Sequence, residues 1–123
     1  MLQIFRSHHP IRHIRSFKHA FKGIFHALLN EANFRAQIVI VILAIIFGKL
    51  LRISNVEWAL ITLSMSLLLA SELINTTMEE IMDHFVKHDN QIAKVIKDLT
   101  AGFVLINAIG SLIILYLVFG NKI

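Results

Sequence analysis

The stretch ELINTTMEEIMD, residues 72–83, sets Glu72, Glu79, Glu80 and Asp83 directly after the uncharged run ITLSMSLLLAS. On a helix, Glu72, Asn75, Glu79 and Asp83 fall at about 0°, −60°, −20° and +20°, a stripe about 80° wide with Thr76 beside it. Glu80 lies about 60° further round and reads as solvated. A carboxylate deep in an apolar helix can act as general base toward a hydroxyl carried by a lipid. Carboxylates nearer the water can hold Mg²⁺, which favours one or two carboxylates plus substrate phosphates. A plainer account makes Glu79, Glu80 and Asp83 the wet end of a helix. It leaves Glu72 to pair with a buried partner such as Asn107 or a lysine of a second chain.

The elements that must carry this stripe are apolar. The chain has 123 residues, 56% of them hydrophobic and 16% charged, where a soluble domain is nearer a quarter charged. Its length suits one domain. With no cysteine, it has no disulfide framework and no thiolate metal site. Residues 99–119 are uncharged throughout, about the length a spanning helix needs. The run at 38–48 reaches that length when extended from Phe34 to Leu51, and the run at 58–71 does so when it continues to Met82. The expected spans are 34–51, 56–82 and 98–119. Ser54 and Glu57 have the spacing of a capping box, Trp58 suits an interfacial anchor, and a polar connection is expected over roughly 84–97. Glu72 stands fourteen residues beyond Trp58, about 21 Å along a helix. In a core about 30 Å thick, it would sit inside the hydrocarbon, where an ionisable group is a functional candidate.

Before these runs lies a basic segment. Ile11, Ile14, Phe17, Phe21, Ile24, Phe25 and Leu28 share an arc of about 140°, with Arg12, Arg15, Lys18, Lys22 and His26 opposite. Pro10 suits the first position of this helix, expected over 11–29. A basic amphipathic helix with bulky apolar residues lies in a membrane interface, and no signal-peptide core precedes residue 38, so this segment is expected to be retained. The net charge of +4 therefore points to a membrane surface rather than nucleic acid. Residues 1–36 carry six Lys and Arg and residues 84–97 carry three, against Lys49, Arg52 and Lys122 on the other side. That bias puts the N-terminus and the second connection in the cytoplasm. Two further polar elements belong to that side. They are Glu31 in NEANFRAQ and the pair Lys97-Asp98, which is expected to open the third spanning helix.

ELINTTMEEIMD resembles the signature of the small prokaryotic diacylglycerol kinase family. NEANFR, IKDLTAG and SFKHAFKG fall where that family has its N-terminal glutamate, its lysine–aspartate pair and its surface-helix motif. The resemblance covers about residues 12–119. It implies an all-α integral membrane fold, with three transmembrane helices and an N-terminal amphipathic surface helix, assembled as a homotrimer in the bacterial cytoplasmic membrane with its active site on the cytoplasmic side. The activity implied is transfer of the γ-phosphate of MgATP to a membrane lipid alcohol. In the resemblance Glu72 matches the general base, Glu31 and Glu79 the metal-coordinating glutamates that hold MgATP, and Asn75 the polar residue beside the base. Lys97 and Asp98 match nucleotide-phosphate contacts, and Arg12 a surface-helix residue that touches substrate. Asp83 closes the signature as a supporting residue. His19 replaces an aromatic nucleotide contact and could still stack, while His88-Asp89-Asn90 replaces a Glu-Tyr-His segment. RISNVEW and SFKHAFKG look more like the undecaprenol kinase branch, whereas Gln37 stands where that branch often has histidine. Undecaprenol is the expected acceptor and diacylglycerol the alternative. A non-enzymatic proton or cation conduit would also use a carboxylate stripe, but it gives no reason for Glu31, Lys97 and Asp98 to gather at one level.

Overall fold

The computed structural model describes residues 10–123, with side chains from His13 onward. Arg12, assigned to substrate by the resemblance, therefore has its side chain outside the described set, as does Ile11. Among the described residues all regular structure is helical: α1 (Pro10–Asn30), α2 (Ala32–Leu50), α3 (Asn55–Phe85) and α4 (Gln91–Phe119). The last three are long and apolar enough to cross a membrane. Their outward faces carry large exposed side chains such as Ile42, Leu63, Leu105 and Leu112, the surface a helix offers to lipid rather than water. At 31 residues, α3 is about 46 Å long, more than the hydrocarbon core requires.

α1 and α2 form an almost continuous helix broken at Glu31, whose backbone is extended (φ −102°, ψ 114°). The carbonyls freed at the end of α1 would be costly if left unpaired. Arg35 Nη1 reaches back to the Leu29 carbonyl at 2.9 Å and the Leu28 carbonyl at 3.3 Å. On α1, Ile14, Phe17, Phe21 and Phe25 are exposed, so its apolar face is turned away from the rest of the chain, while Ala27 is buried.

The turn between α2 and α3 is tight. Ile53 N–H donates to the Gly48 carbonyl at 3.1 Å and Arg52 N–H to that of Lys49 at 3.4 Å, the paired bonds of a Schellman end. Arg52 occupies the left-handed position (φ 49°), where glycine is usual. The capping box then opens α3: Ser54 Oγ accepts from Glu57 N–H at 3.3 Å, and Glu57 Oε2 accepts from Ser54 N–H at 2.7 Å. Trp58 is partly buried against the apolar core of Ala44, Ile53, Ile61, Met65 and Val118. Its ring lies so close to Gly48 that a β-carbon there would come within 2.6 Å of it. Trp58 is therefore a packing element as well as a candidate interfacial anchor.

The connection from α3 to α4 is shorter than the expected 84–97. α4 starts at Gln91, about two turns before Lys97-Asp98, so that pair lies inside the helix and does not open it. The cause is Asn90, whose Oδ1 accepts from Ile92 N–H at 2.8 Å and Ala93 N–H at 3.4 Å, satisfying two orphan donors. The α3–α4 hairpin is clasped at both ends. Lys97 Nζ meets Asp83 Oδ1 at 2.9 Å, and at the far end Lys122 Nζ meets Glu57 Oε1 at 3.0 Å. Midway, Ser111 Oγ donates to the Ser64 carbonyl at 3.2 Å.

Gly48→Ala is expected to destabilise the fold by about 1–3 kcal/mol through overpacking against the rigid Trp58 ring. Thermal unfolding in detergent should show the loss. Gly48→Ala combined with Trp58→Leu should lose less than the sum of the two single changes, and strict additivity would count against this contact.

Candidate functional site

Glu72 is 2% exposed, on the face of α3 that packs against α2. A carboxylate at this depth needs polar partners, and α2 supplies them. Gln37 Nε2 donates to Glu72 Oε2 at 2.9 Å, both side chains being buried. Asn33, one turn earlier on α2, is a looser second amide partner. Asn107, named above as a possible buried partner, does not serve: its Nδ2 donates to the Phe103 carbonyl on its own helix at 2.9 Å. Self-bonding within α4 removes it from the inter-helix site.

One turn toward the helix end, Asn75 is also buried, and its Nδ2 donates to Glu79 Oε1 at 3.2 Å. Glu79 is half-buried and Glu31, at the α1–α2 break, is likewise half-buried. Glu31 makes no cap hydrogen bond with its side chain. Both act electrostatically on Glu72. Among the described residues no lysine or arginine forms an ion pair with Glu31, Glu72 or Glu79. The Oδ1 of Asn75, Oε1 of Gln37 and Oγ1 of Thr76 are buried without a hydrogen-bond partner among them. Buried polar atoms are normally paired, so the unmatched oxygens and unneutralised carboxylates together make this a site with chemistry to offer.

The remaining sequence-derived residues gather elsewhere. Asp83, Lys97 and Asp98 line a cavity of about 450 Å³ at the α3–α4 hairpin, together with His88 and Asp89 of the connection. Asn90 lines it too but is committed to capping α4. Lys97 is within electrostatic reach of Glu79, which joins this aqueous cluster to the buried one. His19 is exposed on α1. Glu80 is exposed and points to the groove between α1 and α3, with His84 at 3.6 Å. That groove is a largely apolar cavity of about 770 Å³, walled by Ala20, Ile24, Leu73 and Ile81.

Gln37 and Asn33 were missed as site residues. The signal was present for Gln37, an amide at the edge of the apolar run 38–48 with no exposed role to explain it. Nothing in the sequence marks Asn33 apart from its neighbours in NEANFR.

Comparison with known proteins gives the family. Residues 18–119 match the family model described as prokaryotic diacylglycerol kinase. The chain is 34% identical over 112 residues to the undecaprenol kinase of Bacillus subtilis, covering 91% of each chain. It is 32% identical over 100 residues to a diacylglycerol kinase of Synechocystis, covering 80% of this chain and 57% of that one. With the diacylglycerol kinase of Escherichia coli K12 it shares 28% identity over 102 residues, covering 83% of this chain and 84% of that one.

The Asp83–Lys97 pair is solvent-exposed, and exposed pairs contribute little to stability. Asp83→Asn should therefore leave the thermal midpoint unchanged and, where the hairpin cavity receives nucleotide phosphates as the resemblance implies, weaken nucleotide binding. A calorimetric titration beside a melting curve checks both; a fallen midpoint with intact nucleotide binding would make the pair a structural clasp only.

Proposed function

The chain belongs to the prokaryotic diacylglycerol kinase family, and from that premise we propose how this lipid kinase works and on what. The family assignment removes the non-enzymatic conduit. The proposed reaction transfers the γ-phosphate of ATP to the hydroxyl of a membrane lipid. The observation that carries this reading is the pair of juxtaposed clusters, a buried carboxylate site on α2 and α3 and a charged, aqueous cavity at the α3–α4 hairpin. A lipid alcohol and a nucleotide need such different surroundings to meet.

Glu72 is the general base. It accepts the proton of the lipid hydroxyl as that oxygen bonds to the γ-phosphorus and the bond from phosphorus to the ADP oxygen breaks. Asn75 holds Glu79 in place beside it. Lys97 and Asp98 face the nucleotide phosphates, with Asp83 orienting Lys97. His19 and Arg12 of the surface helix belong to the same substrate-contacting set. The donor set suits Mg²⁺: hard carboxylate oxygens without a cationic partner and the unpaired Asn75 Oδ1. No three His, Cys, Asp or Glu side chains converge to hold a metal alone among the described residues, so a cation here would need phosphate oxygens to complete its shell. Glu31 and Glu79 would hold it, and when bound it neutralises charge on the transferring phosphoryl group.

Undecaprenol is the proposed acceptor. The similarity to an undecaprenol kinase over 91% of both chains supports it. Diacylglycerol is the second reading, favoured by the two other relatives. The enzyme is placed in the bacterial cytoplasmic membrane with the site facing the cytoplasm, following the lysine and arginine bias. A homotrimer is proposed on the family resemblance alone, since one chain already buries Glu72, Asn75 and Thr76 by itself.

Incubating purified protein in mixed micelles with MgATP and a panel of lipid alcohols tests the activity and the acceptor together. Undecaprenol should be phosphorylated most efficiently, and a clear preference for diacylglycerol would reverse the assignment. In the same assay Glu31→Gln and Glu79→Gln should each weaken nucleotide binding and abolish most turnover, whereas Glu80→Gln should change little. Equal loss at all three positions would contradict the metal assignment.

A further inference from the structure

The hydrogen bond from Gln37 to Glu72 has a role that packing alone does not explain. It is the buried side-chain contact by which α2 touches the α3 carboxylate, and it is made by an amide. A lysine or arginine at this position would neutralise the carboxylate and weaken it as a proton acceptor. A glutamate would repel it. An amide supplies a donor without a charge, so it orients the carboxylate while weakening it as a base less than a cation would. An ionised carboxylate offers two oxygens, each able to accept more than one hydrogen bond. Gln37 engages Oε2, and acceptor capacity remains on the group.

The other end of the amide is equally informative. Gln37 Oε1 is buried and has no hydrogen-bond partner among the described residues. A half-turn of the amide about its last bond exchanges donor for acceptor. Facing ionised Glu72, Nε2 donates; facing a Glu72 that has just taken a proton, Oε1 can accept from the new O–H. The same side chain is thus able to hold the carboxyl group before and after proton transfer, with no net charge entering or leaving.

We propose that Gln37 is the positioning residue of the reaction, holding one oxygen of Glu72 by hydrogen bonding so that the carboxylate presents its free lone pairs to the lipid hydroxyl. This rests on the reading of Glu72 as general base. It concerns orientation: misplacement of a reacting group by about 1 Å can cost on the order of a hundredfold in rate.

The test is a double-mutant cycle on the full-length protein in mixed micelles, with turnover, KM for MgATP and thermal midpoint measured on each variant. Gln37→Leu should lower kcat roughly tenfold to a hundredfold with KM for MgATP and the midpoint nearly unchanged. Gln37→His, which restores a ring N–H donor, should recover part of the loss. In the Glu72→Gln background Gln37→Leu should cause no further fall in kcat, because there is no base left to position. Near-normal kcat for Gln37→Leu would overturn the proposal, as would an equal fall in both backgrounds. If Gln37→Leu fails to fold, Gln37→Met is read by the same criteria. Near-normal activity of Glu72→Gln alone would instead overturn the general-base reading, so the two failures are distinct.

Discussion

A carboxylate buried between apolar helices is the constraint around which this molecule is arranged. An ionisable side chain near the middle of a membrane helix costs about 2.5–3.5 kcal/mol on insertion scales, and that cost must be met by partners. Glu72 meets it with the amide of Gln37, which requires α2 and α3 to run side by side in a defined register. The register in turn depends on the short turn at residues 51–54, closed by the Schellman bonds and the Ser54–Glu57 capping box. Gly48 lets the Trp58 ring lie against the α2 backbone at that turn. The packing that fixes the polar site is thus found at the opposite end of the same two helices.

The length of α3 divides the labour. Its first part builds the apolar core with Ile61 and Met65, its middle buries Glu72, Asn75 and Thr76, and its last turns carry Glu79, Glu80 and Asp83 toward water. One rigid element therefore passes from lipid surroundings to aqueous ones. The ion pairs Lys122–Glu57 and Lys97–Asp83 lie at the two ends of the α3–α4 contact. On the proposed reading this continuity is what lets a lipid hydroxyl and a water-soluble nucleotide reach a common point without either crossing into the other's medium.

Much of this was legible in the sequence for identifiable reasons. Three apolar runs dictate three spanning helices, since backbone polar groups in hydrocarbon must be satisfied within the segment. The capping box was readable because Ser54 and Glu57 act locally. The burial of Glu72 against protein was to be expected, because an ionisable group in an apolar helix needs polar partners. Asn107 misled because a lone amide in an apolar run can bond its own helix, and sequence does not distinguish the two outcomes. Gln37 lies thirty-five positions from Glu72, a pairing that only the α2–α3 packing creates. The start of α4 was placed too late because residues 91–97 are polar. Their helicity is set by the Asn90 cap rather than by hydrophobicity.

The central claim is that Glu72 takes part in the chemical step and not in binding or assembly. The direct measurement is nucleotide titration and lipid phosphorylation on one purified preparation of Glu72→Gln, with its oligomeric state recorded beside the native protein. General-base catalysis contributes roughly 10²–10⁴-fold, and removing a group used only in the transition state lowers turnover without weakening ground-state binding. The account predicts native assembly, native MgATP affinity and a loss of phosphorylation of that order. Near-native turnover, or a protein that no longer assembles, would contradict it.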